Sequence, residues 1–574
     1  LDLKIVRRDP RGEGDRLPAD LHPVLRRVLR ARGITGPGEL ELALGGLLPP
    51  DRLAGVEQAA ELLHQVMEQG GHILILGDYD CDGATSTALA LLALQACGAP
   101  RVSYLVPNRF EYGYGLTPEI VELAARRRPD LIVTVDNGIA SLEGVARANR
   151  LGMQVLVTDH HLPGDGLPAA RVIVNPNQPG DRFPSKHLAG VGVIFYVMAA
   201  LRQRLRELGW FTRQGLEPPN LANWLDLVAL GTVADLVPLD HNNRILVEQG
   251  LRRIRQGRCR PGILALLELA GRVRQRVVAT DLGFAVGPRL NAAGRLEDMG
   301  QGIECLLCER PEEAHRLARG LDELNRTRRE IEREMQEQAM AFLDRLDLVR
   351  SEGLPAGLCL YRAEWHQGVI GILASRIRER YHRPVIAFAG AGDGLLKGSA
   401  RSLPGLHIKD LLERIAHRHE GLLEGFGGHA MAAGVSLREA RLETFRRAFE
   451  VETAALLDAD SLAGHWLSDG QLEAPDIDLE LARQLRYAAP WGQGFPEPLF
   501  DGVFELRQQR VVGGNHLKLR LGLPGDGRVI DAIAFNQAER PLAERMHLVY
   551  RLDLNEYRGL ERPQLIVEAI QSTA

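Results

Sequence analysis

Long apolar runs, cysteines and lysines are scarce in this sequence, and each scarcity removes a class of protein. The longest apolar run, residues 188–201, falls short of the roughly 20 residues that a membrane span requires, so it predicts a buried helix. No charged-then-apolar leader is visible, which makes a reducing cytoplasm the expected compartment. Six cysteines in 574 residues cannot form a disulfide scaffold. Cys305 and Cys308 make one CxxC without a second Cys or His pair at zinc-ribbon spacing, and they read as two small apolar residues on a helix face. Nearly every cation is arginine, since the lysines are only Lys4, Lys186, Lys397, Lys409 and Lys518. Arginine suits bidentate phosphate contacts, although codon bias in a GC-rich genome is the simpler cause. A net charge of −5 does not point to nucleic acid, so any such reading rests on local clustering.

What is present is ordinary globular composition, 45% hydrophobic and 25% charged, with 61 Gly and 31 Pro. Disordered, collagen-like and coiled-coil classes are excluded, and the length predicts roughly three or four domains. Residues 1–50, rich in Arg and Pro, read as an N-terminal cap. Residues 51–300 hold short apolar strands at 72–76, 101–106, 130–135, 153–157 and 172–174 that alternate with helical stretches. That alternation predicts a doubly wound parallel α/β sheet. Residues 301–350 centre on a charged, proline-free stretch that would run about 50 Å as one helix, a connector. A second, smaller α/β domain is expected over 351–460, with strands near 358–361 and 385–389. Residues 465–574 carry five short alternating runs between Gly-rich turns, the pattern of a small OB-like β-barrel.

Three of the parallel strands run out into acids. Residues 72–76 lead to Asp78, Asp80 and Asp82; residues 130–135 lead to Asp136-Asn137-Gly138; residues 153–157 lead to Asp159-His160-His161. Ligands of open α/β sheets bind outside the carboxyl ends of the strands, so these clusters should share one crevice. Carboxylates at this density raise one another's pKa values, a cost that a divalent cation removes. One acidic turn after a strand is usually a solvated loop; three at successive strand ends, with paired histidines, are not. Asp80 and Asp82 can face different ions while Asp136 bridges both, and two metals about 3.5–4 Å apart are the standard device for phosphoryl displacement. Carboxylates with one imidazole and no thiolate favour Mn²⁺ or Mg²⁺ over Zn²⁺, and the imidazole tilts the choice to Mn²⁺.

These strings resemble the successive motifs of the DHH phosphoesterase superfamily, with Gly231-Thr-Val-Ala-Asp235-Leu-Val-Pro238 as the fourth. Within it the likeness is to the single-strand-specific 5′-to-3′ DNA exonucleases. Small phosphodiesterases of the superfamily usually carry a His four residues before the first ligand Asp. Leu76 stands there in this sequence, and Asp78 adds an acid within Gly-Asp-Tyr-Asp-x-Asp-Gly. Further likeness lies in Asn108-Arg109, Tyr112-Gly-Tyr114-Gly115-Leu116, Pro288-Arg289-Leu-Asn291-Ala-Ala-Gly294-Arg295 and Ser399-Ala-Arg401-Ser402. Gly427-Gly428-His429 through Gly434, and Pro490-Trp491-Gly-Gln-Gly494-Phe-Pro496, complete the set, so that the resemblance covers residues 50–570.

The resemblance implies two divalent cations, Asp80 and Asp235 holding one, Asp82 and His160 the other, and Asp136 both. Asp136, Asp159, His160 and His161 form the expected catalytic set. Asp159 is placed to orient an imidazole, whereas His161 could ligate, contact the scissile phosphate or donate to a backbone carbonyl. Asp78 caps a turn or ligates. Arg109, Arg289, Arg295 and Arg401 are phosphate-clamp candidates, with Asn291, Ser399 and the Gly428-His429 loop beside them; any single Arg of so many is more often a surface residue. Tyr114 and Trp365 could stack bases, with core packing the better reading of Trp365. The implied function is two-metal hydrolysis of single-stranded DNA from a 5′ end, in repair and recombination. A helicase and a single-strand-binding protein are candidate partners, no membrane is involved, and a monomer is expected. The barrel reads as a track for the strand, so its deletion beyond residue 464 would spare cleavage of very short oligonucleotides. Two alternatives stand beside this. One is a phosphodiesterase of short oligonucleotides or cyclic dinucleotides; the other is a non-catalytic single-strand-binding scaffold.

Overall fold

The computed structural model describes residues 4–11, 14–108, 112, 115–164, 166–345, 355–457, 464–525, 527–538, 542–557 and 559–572. Arg109 and Tyr114 lie outside the described residues. The chain divides into two compact units, one of Arg8–Asn325 with Asp469–Ala574 and the other of Leu1–Arg7 with Arg326–Ser468.

β1 (Lys4–Arg7) belongs to the second unit. The first unit is built on β2 (His72–Gly77), β3 (Arg101–Leu105), β4 (Leu131–Val135), β5 (Gln154–Thr158) and β6 (Val172–Val174). All are parallel, in the order β3-β2-β4-β5-β6. β2 and β4 are buried from end to end, as strands covered on both faces must be, and they supply Ile/Leu/Val runs without alternation. The order reverses between β2 and β4, which opens the crevice at their carboxyl ends. Helices Cys81–Ala96, Gly190–Glu207 and Leu225–Ala234 are largely buried against this sheet and one another. Gly190–Glu207 contains the long apolar run as a buried helix. A π-helical turn, Leu282–Val286, leads into helix Gly287–Leu296.

Helix Pro311–Arg345 has 35 residues, about 50 Å, and contributes to both units. In the second unit, β7 (Leu358–Tyr361), β8 (Val385–Gly390), β9 (Leu395–Arg401), β10 (Gly425–Gly428) and β11 (Ala432–Arg438) pair in the order β10-β11-β9-β8-β7. Only β7 and β8 are parallel. β12 (His465–Ser468) pairs in parallel with β1, a long-range match that no local pattern announces. Gly427 and Gly428 thus lie in a strand and not in a loop, a correction whose reason is pairing: Gly427 stands opposite Gly434, where neither residue brings a side chain.

The last segment returns to the first unit as a closed barrel of β13 (Phe500–Val512), β14 (His516–Gly522), β15 (Val529–Ala534), β17 (Leu560–Ser572) and β16 (Arg545–Tyr557), in that order. Its apolar interior is continuous with the core of the parallel-sheet domain through Leu472, Leu481, Leu485, Trp491 and Phe495. Among the described residues no helix is long and apolar enough to cross a membrane.

Candidate metal centre at the strand ends

Each acidic strand end is fixed by backbone chemistry. After β2, Asp80 caps helix Cys81–Ala96 by accepting from Gly83 N at 2.9 Å, and Asp78 accepts from Tyr79 N at 2.7 Å. Asp82 lies in the first turn of that helix, where its two oxygens accept from Gly190 N (2.6 Å) and Val191 N (3.0 Å). It therefore caps helix Gly190–Glu207, which has no side-chain cap of its own. After β4, Asp136 takes the left-handed backbone at φ 63°, and its N–H donates to Thr158 O at 3.1 Å. Non-glycine residues in that region cluster at functional sites. Asn137 ties the strand ends together by donating to Leu76 O and Val135 O.

After β5, Asp159 is 1% exposed and collects four donors: the amides of His160, His161 and Ile139, and His161 Nδ1 at 2.8 Å. Burial opposes its charge, but the His161 hydrogen bond and charge outweigh burial and hold the carboxyl below its usual range. The reciprocal effect is that His161, despite burial, is raised to about 9 by Asp159. Asp159 therefore orients His161 through its Nδ1. His160 points elsewhere. Its Nε2 lies 3.1 Å from Asp136 Oδ1, 3.4 Å from Asp235 Oδ2 and 3.9 Å from Asp82 Oδ2.

The carboxylates feel one another. Burial, then Asp80, pushes Asp82 up to about 7, against the pull of its two amide donors. Burial and the neighbouring acids raise Asp136 and Asp235 well above the carboxylate range. Three groups of ligand atoms lie within 4.8 Å of one another: Asp78, Asp80 and Asp136; Asp82, His160 and Asp235; and Asp136, His160 and His161. Oxygen-rich donors with imidazole and no thiolate fit a hard divalent cation. The grouping departs from the division implied by the resemblance, because Asp235 falls with Asp82 and His160, and Asp80 with Asp78.

Other expected residues sort differently. Asn291 accepts from Cys81 N at 2.7 Å, so it holds the ligand loop from the side. Gly294 lies where any Cβ would strike Tyr79 O, which lets its helix approach the same loop. Arg289 is 7% exposed and engages Asp322 Oδ1 at 2.8 Å and Ala285 O at 2.6 Å. That makes it a tether to helix Pro311–Arg345, buried and paired with a carboxylate where a phosphate clamp was expected. Arg295 follows Gly294, partly exposed. In the second unit Trp365 is 5% exposed among Val369, Ile370 and Leu373, with Nε1 donating to Gln338, as core packing requires. Arg401 donates to Ser399 Oγ at 2.9 Å and to Ser375 Oγ at 3.2 Å. Burial lowers its pKa, and among the described residues no carboxylate pairs with it. Ser399 pairs with Gly434 and Arg401 with Ala432, which brings both to the end of the sheet beside Gly428 and the exposed His429.

Sequence reasoning missed Asn175 and Asn177, whose side chains hold the carbonyls of His161 and His160 at 2.9 and 2.6 Å. Their position at the end of β6, a fourth strand end, was the available signal. It also missed Gly190, which packs on Asp136.

Comparison with known proteins agrees with this geometry. Residues 72–232 match the model of the DHH family, N-terminal domain; residues 355–454 match the DHHA1 domain; residues 468–569 match the RecJ OB domain. The single-stranded-DNA-specific exonuclease RecJ of Salmonella typhimurium is 55% identical over 570 residues, 98% of each chain. The chain belongs to the RecJ family. Crystal structures of RecJ from Thermus thermophilus in complex with Mn²⁺ and with Mg²⁺ superpose with TM-scores of 0.78 and 0.73, at 31% and 30% identity. They cover 97% of this chain, which covers 76% and 75% of theirs. The RecJ fold therefore places the acidic strand ends, the second α/β domain and the OB barrel in one chain, as the sequence implied.

Proposed function

We propose that this chain is a single-stranded-DNA-specific exonuclease that hydrolyses phosphodiester bonds from the 5′ end, with two divalent cations, Mn²⁺ before Mg²⁺. The observation that carries the reading is the convergence of Asp78, Asp80, Asp82, Asp136, His160 and Asp235 at the switch point of the parallel sheet. Asp78, Asp80 and Asp136 would hold one cation and Asp82, His160 and Asp235 the other. Cations bound there would neutralise the carboxylates, polarise the phosphoryl oxygens and acidify a water molecule. The chain's own part is preorganisation. The amides of Gly190 and Val191 fix Asp82, the left-handed backbone fixes Asp136, and Asp159 orients the His161 ring toward the cation centre.

A strand end must also be held. Arg401 with Ser399, near Gly428 and His429, offers charge-assisted donors to a 5′ phosphate, worth roughly 1.5–3 kcal/mol or about tenfold to a hundredfold in affinity. The barrel supplies a sequence-tolerant surface for the rest of the strand. The domains would be the cap (1–50), DHH domain (51–300), connector (301–350), second α/β domain (351–460) and barrel (465–574). The test uses end-labelled DNA with and without Mn²⁺. A linear single strand with a 5′ phosphate should be degraded fastest, its 5′-hydroxyl twin more slowly, and a circle or blunt duplex hardly at all. Rapid cutting of the circle would make the enzyme an endonuclease. Turnover of a cyclic dinucleotide with no activity on DNA would favour the small-substrate alternative.

A further inference from the structure

The string Pro490–Pro496 has no role in the chemistry above, yet it closes on the loop that follows Asp235. Gly492 and Phe495 exchange backbone hydrogen bonds of 2.9 and 3.1 Å, forming a tight turn. Trp491 stacks on Phe495 with ring centroids 5.1 Å apart, and its Nε1 donates to Leu485 O. Arg32, itself bound to Asp469, lies over the Trp491 ring, while Arg244 lies over Phe495 at 4.4 Å. The turn reaches the ligand loop directly, for Leu239 N donates to Gln493 O at 2.8 Å. Room is tight: a Cβ on Gly492 would lie 2.7 Å from the end of the Leu239 side chain, Cδ1, and one on Gly494, at φ 70°, would lie 3.1 Å from Pro238 Cβ.

The other end of that loop is strained. Asp235 ends helix Leu225–Ala234, and the next residue, Leu236, takes the left-handed backbone at φ 59° where glycine is usual. Such a conformation persists only where the surroundings over-determine it. The helix fixes Asp235 from one side, and from the other the pinned segment Val237–Leu239 keeps Leu236 from relaxing.

We propose that the Trp491–Phe495 turn is a positioning element for Asp235, so that the segment leading into the barrel sets the affinity of the cation centre. This rests on the reading of Asp235 as a metal ligand. Gly492→Ala and Gly494→Ala, made in the full chain, press on Leu239 and Pro238 respectively. Mn²⁺ binding is read from the electron paramagnetic resonance of the free ion, with kinetics on a single-stranded oligonucleotide and a thermal melt alongside. Gly492→Ala should bind one Mn²⁺ about tenfold more weakly, with kcat recovered at high Mn²⁺ and KM for DNA unchanged. Adding Leu239→Val, which shortens the side chain that the new methyl strikes, should restore Mn²⁺ affinity. A lower melting temperature with unchanged Mn²⁺ binding would overturn the proposal, as would a raised KM for DNA with unchanged Mn²⁺ binding. Hydrogen exchange on the unaltered chain needs no variant to fold. By reciprocity of coupling, Mn²⁺ should slow exchange at the amides of Leu239, Gly492 and Phe495, and slowing confined to the strand-end loops would overturn the proposal. Asp235→Ala separates the two levels: if it keeps both ions, the ligand reading fails, whereas if it loses one while the glycine variants lose none, only the positioning role fails.

Discussion

Replacing Gly190 by alanine adds one methyl group, removes no charge and leaves every proposed ligand in the sequence. The methyl carbon would nevertheless stand 2.5 Å from Asp136 Cβ, 2.8 Å from Asp136 Oδ1 and 2.9 Å from Asp136 Cα, where ordinary contact begins at 3.4 Å. Relief therefore requires a shift of about 1 Å, and the neighbours of Asp136 resist it. Its left-handed backbone is anchored to Thr158 O, so the side chain cannot swing away freely. If the helix moves instead, the Gly190 and Val191 amides move with it and carry Asp82 out of place. Either route displaces a carboxylate of the cation centre. Misplacement of about 1 Å costs on the order of a hundredfold in rate, while overpacking one methylene destabilises by about 1–3 kcal/mol. The assay is single-turnover release of nucleotides from an end-labelled strand at several Mn²⁺ concentrations, with a thermal melt of the same preparation. Gly192→Ala, whose methyl would meet only the end of the Leu188 side chain at 3.1 Å, is the control and should behave like the unaltered chain. A folded Gly190→Ala enzyme that retains more than about a tenth of normal turnover would refute the argument.

Asp136→Ala should abolish nuclease activity while single-strand binding, measured by fluorescence anisotropy, stays within a few fold, because Asp136 belongs to two of the three ligand groups. Truncation after residue 464 should reduce cleavage of even very short oligonucleotides and broaden or lower the melt. It removes Leu472, Leu481, Leu485, Trp491 and Phe495 from the shared core, where losing even one large buried side chain costs about 2–5 kcal/mol. Asp226 supplies a pH test. Burial holds its carboxyl up to about 6 although the amides of Arg260 and Leu227 donate to it, so the folded state binds its proton more tightly than the unfolded state. Its contribution is therefore most favourable at pH 4 and is lost as pH rises through 6. The stability advantage of the unaltered chain over Asp226→Asn, from urea melts, should shrink by about 2 kcal/mol between pH 4 and 7.

The parallel sheet was legible because strands covered on both faces must be apolar throughout, as residues 72–76 and 131–135 are. Its acidic ends were legible for a related reason: clustered carboxylates are costly, so three at successive strand ends demand an explanation. β9, β10 and β11 were not legible. Their sequences, LLKGSAR, GFGG and AAGVSLR, are rich in small residues, and glycine in a single sequence reads as a turn until its cross-strand partner is known. The pairing of β1 with β12 and the contact of Arg289 with Asp322 are likewise tertiary, without a local signature. His161 shows the same limit at the site. Spacing could place it beside the metal centre, but its 2.8 Å contact to Asp159 is a tertiary geometry that spacing does not show.

The barrel segment is joined to the rest of its unit more closely than sequence order suggests. Five alternating runs after the last acidic motif look like an appendage, because sequence order places every ligand upstream of them. Packing ties them to the upstream domain. Residues 469–499 lie between the barrel and the parallel-sheet domain, and they donate Leu472, Leu481, Leu485, Trp491 and Phe495 to a core that also holds Val28, Leu246 and Leu251. Asp469 answers a cation from the N-terminal segment, Arg32, whose other donors go to Val28 O, Pro496 O and Glu497 O. Both ends of the first unit thus meet at one buried ion pair, and the turn beyond it presses on the loop that carries Asp235. The barrel and the parallel-sheet domain therefore share one continuous core, and severing the chain at residue 464 cuts through that core.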